Sequence, residues 1–99
     1  MNMINLPESE QKAIAALDGQ EIDRLIREAI QSERSVELGR RLYDCGAYIA
    51  SRLRYFDKAL ARHREAKSAK KRAQTESEVR HEGYDLSGAV AAMQNRVRE

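Results

Sequence analysis

The residues that most often carry out chemistry in proteins are few in this sequence. His63 and His81 lie far apart in charged stretches, and the only cysteine, Cys45, lies among apolar residues. Catalysis requires a nucleophile, an acid or base and a charge-stabilising group within hydrogen-bonding reach of one another. A zinc site requires more Cys or His ligands at short spacings, and a phosphate-binding loop requires clustered glycines. We therefore expect a protein that is not an enzyme and that binds no metal or cofactor.

Basic residues are the second group that could do chemistry, because lysine and arginine bind phosphates and carboxylates. The net charge of +2 hides an uneven distribution. Residues 1–37 contain eight acids and four bases, whereas residues 52–72 contain nine bases and two acids. The nine bases are candidate partner- or phosphate-binding residues: Arg52, Arg54, Lys58, Arg62, Arg64, Lys67, Lys70, Lys71 and Arg72.

The arrangement of these bases leaves several kinds of partner open. On a helical wheel they surround the helix instead of forming one stripe. This pattern fits a solvated helix, a helix against an acidic protein surface, or a helix flanked by DNA phosphates. Sequence-specific reading of bases has little support, because Gln74 is the only amide close to the basic segment. Tyr55 and Phe56 could stack on bases or pack in a core, and the spacing of Phe56 favours the core.

Helices must position these residues, since one proline, five glycines and no alternating run of β-branched residues give strands little support. We predict an all-α fold, a small helical hairpin or a bundle of three or four helices with one long central helix, with coiled-coil pairing as a further option. Residues 1–99 should form one domain. Its predicted parts are acidic N-terminal helices at 7–34, the long central helix at 36–74, basic from 52 to 72, and a C-terminal helical segment at 75–99.

Capping residues predict where these helices begin and end. Asp18 opens a D-x-x-E capping pattern, and a break is favoured within residues 32–35. Thr75 opens another such pattern, so the central helix either pauses there or continues to Gly83, a residue that often ends helices. Asp85 is the predicted N-cap of the last helix.

The strongest periodic pattern lies in the central segment. Apolar residues recur there at steps of three or four, the period of an α-helix. This seam consists of Leu38, Leu42, Cys45, Ile49, Leu53, Phe56 and Leu60. One large residue per turn suits packing against one or two other helices. The seam therefore predicts either the core of the chain or a dimer contact.

A second apolar row predicts that the C-terminal helix packs against another helix of the chain or of a partner. The row consists of Leu86, Val90, Met93 and Val97. A helix of this length is marginal in water by itself, so its apolar face needs a surface to cover it.

Taken together, these patterns predict a protein-binding module, an adaptor, inhibitor or assembly subunit that acts through helix–helix contacts and its basic face. The expected partner has an acidic surface, and a homodimer or larger assembly is expected. The alternative is a nucleic-acid-binding protein that dimerises through the seam and presents residues 52–72 to phosphates. Neither a secretory signal nor a membrane-length apolar run is visible, which predicts a cytoplasmic, soluble protein without membrane contact.

Overall fold

Five α-helices make up the part of the chain that the computed structural model describes, residues 6–98. They are α1 (Glu8–Ala15), α2 (Gly19–Ser32), α3 (Val36–Leu42), α4 (Ala47–Glu65) and α5 (Ala69–Val97). No strand occurs in residues 6–98. The prediction of a small all-α bundle is therefore confirmed.

The longest helix, α5, is the one against which most of the others pack. It lies along α4, and it also contacts α2 and α1, while α3 fills the space between α2 and α4. Arg52 near the start of α4 contacts Asp85 far along α5, whereas Arg62 and His63 near the end of α4 contact Glu78 and Thr75, which come earlier in α5. The two helices therefore form an antiparallel hairpin.

One apolar face of each helix contributes to a common core. Phe56, Ile14 and Ile49 are among its fully buried side chains. The core cluster contains Ile14, Leu17, Ile22, Leu25, Ile26, Ala29, Leu38, Leu42, Cys45, Ile49, Phe56, Ala59, Leu60, Val79, Leu86, Val90 and Met93. Burial of these apolar side chains is the main force that holds the bundle together.

The structure corrects the prediction of one continuous helix over residues 36–74. The chain turns after α3, where Gly46 has a φ of 95° and precedes α4. That conformation suits glycine because it has no Cβ. A second break lies between α4 and α5, where Ala66 is extended and the Ser68 hydroxyl accepts a hydrogen bond from the Lys71 amide. The basic segment is therefore a helical hairpin and not a rod.

The predicted C-terminal boundaries are also corrected, because α5 is continuous through Thr75, Gly83 and Asp85. Thr75 and Gly83 are buried inside the helix, and Asp85 forms an ion pair with Arg52 instead of capping a new helix. The predicted cap at Asp18 does form, and its carboxylate accepts a hydrogen bond of 3.0 Å from the Gln20 amide. The break predicted within residues 32–35 also occurs, with α2 ending at Ser32.

A buried polar contact fastens the short α1 to α5. The Gln94 side-chain amide donates to the carbonyls of Ile14, at 3.2 Å, and Leu17, at 2.6 Å. These carbonyls lie at and just beyond the C-terminal end of α1, where backbone acceptors need donors from outside the helix. The Ile14 carbonyl also accepts from the Leu17 amide at 3.2 Å. Gln94 therefore adds a side-chain donor that ties this end of α1 to α5.

Two glycines of α5 should respond in opposite ways to substitution by alanine. A Cβ at Gly83 would lie 2.8 Å from Ile26 Cγ2 and 3.3 Å from Phe56 Cε1, whereas at Gly88 it would meet nothing within 4 Å. We expect Gly83→Ala to lower the free energy of unfolding by about 1–2 kcal/mol through overpacking. Gly88→Ala should raise it by up to about 1 kcal/mol, because alanine favours helix. Urea unfolding of both variants tests this, and equal effects would contradict it.

Candidate functional site

Arg52 and Arg62, two of the nine candidate binding residues, are held by acids of the facing helix. Arg52 lies 3.2 Å from Asp85 and 3.8 Å from Glu82, and its guanidinium lies 5.4 Å from the centre of the Tyr55 ring. Arg62 lies 3.5 Å from Glu78. These residues join α4 to α5, so their charge is largely neutralised within the chain.

Arg72 is the centre of a junction where the end of α2, the end of α4 and the start of α5 meet. It donates to the carbonyls of His63, at 3.1 Å, and Ala66, at 3.2 Å, which end α4. The same guanidinium pairs with Glu33, which follows α2. Arg64 donates to the Glu33 carbonyl at 2.8 Å. The acidic N-terminal half thus neutralises part of the basic segment at this junction.

Polar contacts from three parts of the chain orient the buried ring of His63. The Thr75 hydroxyl donates to the carbonyl of Lys71 at 3.0 Å or Arg72 at 3.2 Å. Its oxygen can then accept from His63 Nδ1, which lies 2.7 Å away. The other ring nitrogen, Nε2, lies 3.3 Å from the Arg72 guanidinium, which can only donate. Nε2 also lies 3.6 Å from the Glu33 carboxylate. These contacts hold the buried ring at the junction of α4, α5 and the residue that follows α2, which is a structural role.

Five of the nine candidate bases remain exposed to solvent. These five are Arg54, Lys58, Lys67, Lys70 and Lys71. Their side chains form no ion pair or hydrogen bond within residues 6–98. Lys67, Lys70 and Lys71, which we call the basic tip, lie where α4 passes into α5. Arg54 and Lys58 lie one turn apart on α4. Of the nine candidates, these five have no contact within residues 6–98 that would compete with a partner.

The apolar residues singled out from the sequence lie inside the chain. Within the seam, Leu38, Leu42, Cys45, Ile49, Phe56 and Leu60 are buried, and Leu53 is partly buried against the core. In the C-terminal row, Leu86, Val90 and Met93 are buried and Val97 is partly buried. The bundle of a single chain therefore covers both apolar rows, and no dimer is needed to cover the seam.

The remaining residues with chemical potential do not converge on one site. Burial, with a smaller contribution from Asp44 and Glu10, raises the pKa of the Cys45 thiol and so disfavours the reactive thiolate. His81 is exposed and lies 3.4 Å from Asp85. Across the described residues, no group of three or more His, Cys, Asp and Glu side chains is arranged to hold a metal ion.

The structure exposes four tyrosines, of which only Tyr55 was a candidate from the sequence. Each of them, Tyr43, Tyr48, Tyr55 and Tyr84, is at least half exposed, and Tyr43 reaches 84 %. The exposure of Tyr48 and Tyr55 could have been predicted from the sequence, because both lie beside the apolar seam and not on it. Tyr48 and Tyr84 line one groove between α4 and α5, together with Gly88 and Ala92.

Comparison of the chain with protein-family models found no match, and comparisons with curated proteins and with solved structures found none either. Among the helices of residues 6–98, none has the length and apolar character that a membrane span requires.

Replacement of Arg72 by alanine should destabilise the bundle, although nearly half of its side chain is exposed. The substitution removes the donor to the His63 and Ala66 carbonyls and leaves Glu33 without its main partner. We expect a loss of about 1–2 kcal/mol in the free energy of unfolding. The neighbouring Lys71→Ala is the matched control and should change it by less than about 0.5 kcal/mol. Urea unfolding measures both, and similar losses would contradict the role assigned to Arg72.

The contribution of Glu33 to stability should disappear in acid. The hydrogen bond from Arg72, together with the positive charges nearby, lowers the pKa of Glu33 below its ordinary value. A carboxyl whose pKa is lowered by folding stabilises the fold above its unfolded-state pKa and loses this effect as the pH falls through the folded-state value. The difference in melting temperature between the wild type and Glu33→Gln should therefore be largest near neutral pH. It should shrink below about pH 4, and a constant difference would exclude this account.

Proposed function

We propose that the chain is a non-enzymatic helical module that binds another protein and that the basic tip is its contact with an acidic surface of that protein. One observation carries the proposal: Lys67, Lys70 and Lys71 are all exposed, and their side chains form no ion pair within residues 6–98. The α4–α5 hairpin holds them together at one end of the bundle. Ionic contacts of this kind raise the association rate and the specificity of a complex.

Local electrostatics also support a binding role for the tip. The first turn of α5 contains no acid, although acids are the residues favoured near the positive end of a helix dipole. Lys70 and Lys71 occupy that turn, where each unfavourable charge costs about 0.3–1 kcal/mol. Arg72 lies beside them, but its contacts with the end of α4 explain its position. No contact within the described residues offers similar compensation for the two lysines, which is the pattern expected of residues kept for a partner.

The limited size of the positive region favours a protein over a long nucleic acid. Four acids follow the basic tip along α5: Glu76, Glu78, Glu82 and Asp85. They make residues 76–85 net negative, since Arg80 is the only lysine or arginine among them. Each of these acids forms an ion pair with Arg80, Arg62 or Arg52. A phosphate backbone that continued along residues 73–95 of α5 would therefore meet no unpaired lysine or arginine of that helix. A compact acidic surface on a protein can contact the tip alone.

Nucleic-acid binding is the second candidate, and one surface feature favours it. Tyr55 is half exposed on α4 beside Arg54, and Lys58 lies one turn from Arg54. An aromatic ring among free cations is the arrangement on which single-stranded bases stack. This candidate does not include dimerisation through the seam, because the core of one chain covers the seam.

Charge reversal tests the two candidates in one assay. We expect the triple variant Lys67→Glu/Lys70→Glu/Lys71→Glu to fold normally, because all three side chains are exposed, and to bind a fluorescent glutamate-rich peptide at least about tenfold more weakly. The control variant Lys12→Glu/Arg27→Glu/Arg40→Glu has the same change in net charge at other exposed positions. Circular dichroism checks folding, and fluorescence anisotropy measures the affinity at about 50 and 200 mM salt.

The outcomes of this assay separate the candidates. Equal binding by the two triple variants, or no salt-sensitive binding by the wild type, would refute the role of the basic tip. Tighter binding of a single-stranded DNA with the same number of negative charges would favour the nucleic-acid candidate. In that case the variant Arg54→Glu/Lys58→Glu should lose the DNA affinity, while substitutions at the tip should have less effect.

A further inference from the structure

The turn between α4 and α5 consists of residues that do not require a turn. It covers residues 66–68, with the sequence Ala-Lys-Ser, and alanine and lysine are strong helix formers. A glycine or asparagine with a positive φ commonly ends a helix, and this turn has neither. Ala66 has a φ of −71° and a ψ of 129°, and Ser68 a φ of −87° and a ψ of 153°. For both residues ψ is the angle that separates the observed backbone from a helix.

The Arg72 side chain occupies acceptors that a continuous helix would use for itself. Its guanidinium binds the carbonyls of His63, at 3.1 Å, and Ala66, at 3.2 Å. In a continuous helix each carbonyl accepts from the amide four residues further on, which here belongs to Lys67 or Lys70. Arg72 therefore stabilises the turn by replacing these two helical hydrogen bonds.

The Ser68 side chain replaces a third helical hydrogen bond. Its hydroxyl accepts from the Lys71 amide at 3.1 Å, and this contact caps the N-terminus of α5. In a continuous helix the same amide would donate to the Lys67 carbonyl. Two side chains thus hold a bend that the backbone preferences of residues 66–68 do not favour.

We propose that the α4–α5 turn is a hinge and that two copies of the chain exchange their α5 helices when it straightens. In the exchanged dimer, residues 47–97 of each copy form one continuous helix, and α5 of each copy packs on α1 to α4 of the other. Exchange of an identical element is a low-cost route to a dimer, because it reuses the contacts of the monomer. The proposal does not depend on the partner of the basic tip.

The positions of the α4–α5 contacts allow this exchange. Each of three contacts has its midpoint in the sequence at or next to Ala69: Arg52–Asp85, Arg62–Glu78 and His63–Thr75. A twofold axis near Ala69 would therefore bring the same residues together between two straight antiparallel helices. Each bundle would contain α1 to α4 of one copy and α5 of the other. The two bundles would lie on opposite sides of the axis, at the two ends of the helix pair.

The basic tip gives the exchange a distinctive dependence on salt. Lys67, Lys70 and Lys71 lie within about 3 Å of Ala69 along the helix axis, so the tips of the two copies would meet near the twofold axis. Like charges repel, and salt screens the repulsion. We therefore expect more dimer at about 200 mM than at about 50 mM salt. Binding of an acidic peptide to the tip should show the opposite dependence, which keeps the two proposals separable.

Two substitutions in the hinge should act in opposite directions. Ala69 is the first residue of α5, a position that favours proline because the amide has no partner within the helix. Ala69→Pro should keep the bent hairpin and prevent the continuous helix, whose interior does not accommodate proline. Ser68→Ala removes the cap and should raise the dimer association constant at least about tenfold. Ala47→Pro is the matched control, because Ala47 is the exposed first residue of α4 and lies outside the hinge.

Sedimentation equilibrium of the 11.3 kDa chain measures the exchange. The wild type should be partly dimeric at about 1 mM, the order of the effective concentration that a short linker provides. Circular dichroism should show all variants folded. Wild type and Ser68→Ala that both stay monomeric at 1 mM would overturn the proposal. Dimers of Ala69→Pro as stable as those of Ala47→Pro would also overturn it.

Cross-linking identifies the chain that supplies α5. Arg62 and Glu78 face each other at 3.5 Å across the hairpin, so a short bismaleimide should join the cysteines of Arg62→Cys/Glu78→Cys. The dimer fraction should then run as a covalent dimer on a denaturing gel, because each link joins two chains. A dimer fraction that yields only cross-linked monomer would show pairing without exchange and exclude the proposal. Arg62→Cys alone is the control for reaction at the buried Cys45.

Discussion

The C-terminal end of α4 is stabilised by the guanidinium of Arg72, a residue of the next helix, α5. Carbonyl groups at a helix C-terminus need donors from outside the helix, and here Arg72 supplies them to His63 and Ala66. Its pairing with Glu33 adds the end of α2 to the same junction. The turn between α4 and α5 therefore forms without glycine or proline. This contact joins the ends of α2 and α4 to the start of α5, beside the buried His63 and the basic tip.

Basic residues have two different roles in this protein, and their contacts within the chain decide which. Arg52, Arg62, Arg64 and Arg72 are bound by acids or carbonyls of the chain, whereas the basic tip extends into solvent. Neutralisation within the chain leaves a small positive region next to a part of α5 whose acids are paired with arginines. Such a surface suits recognition of a compact acidic surface better than a continuous track of phosphates.

Local sequence patterns were enough to predict the helical class, the apolar faces and the cap at Asp18, because each depends on residues within a few positions of one another. The breaks in the long segment and the set of unpaired bases depend instead on contacts between residues far apart in the chain. Glu33 and Arg72 are 39 residues apart, so no local pattern could show that they meet. Gly83 reads as a helix stop in the sequence, but Ile26 and Phe56 pack against its bare backbone within a continuous helix. Local periodicity fixes which side of a helix is apolar, whereas the helices that pack around it fix which charges and which faces remain exposed.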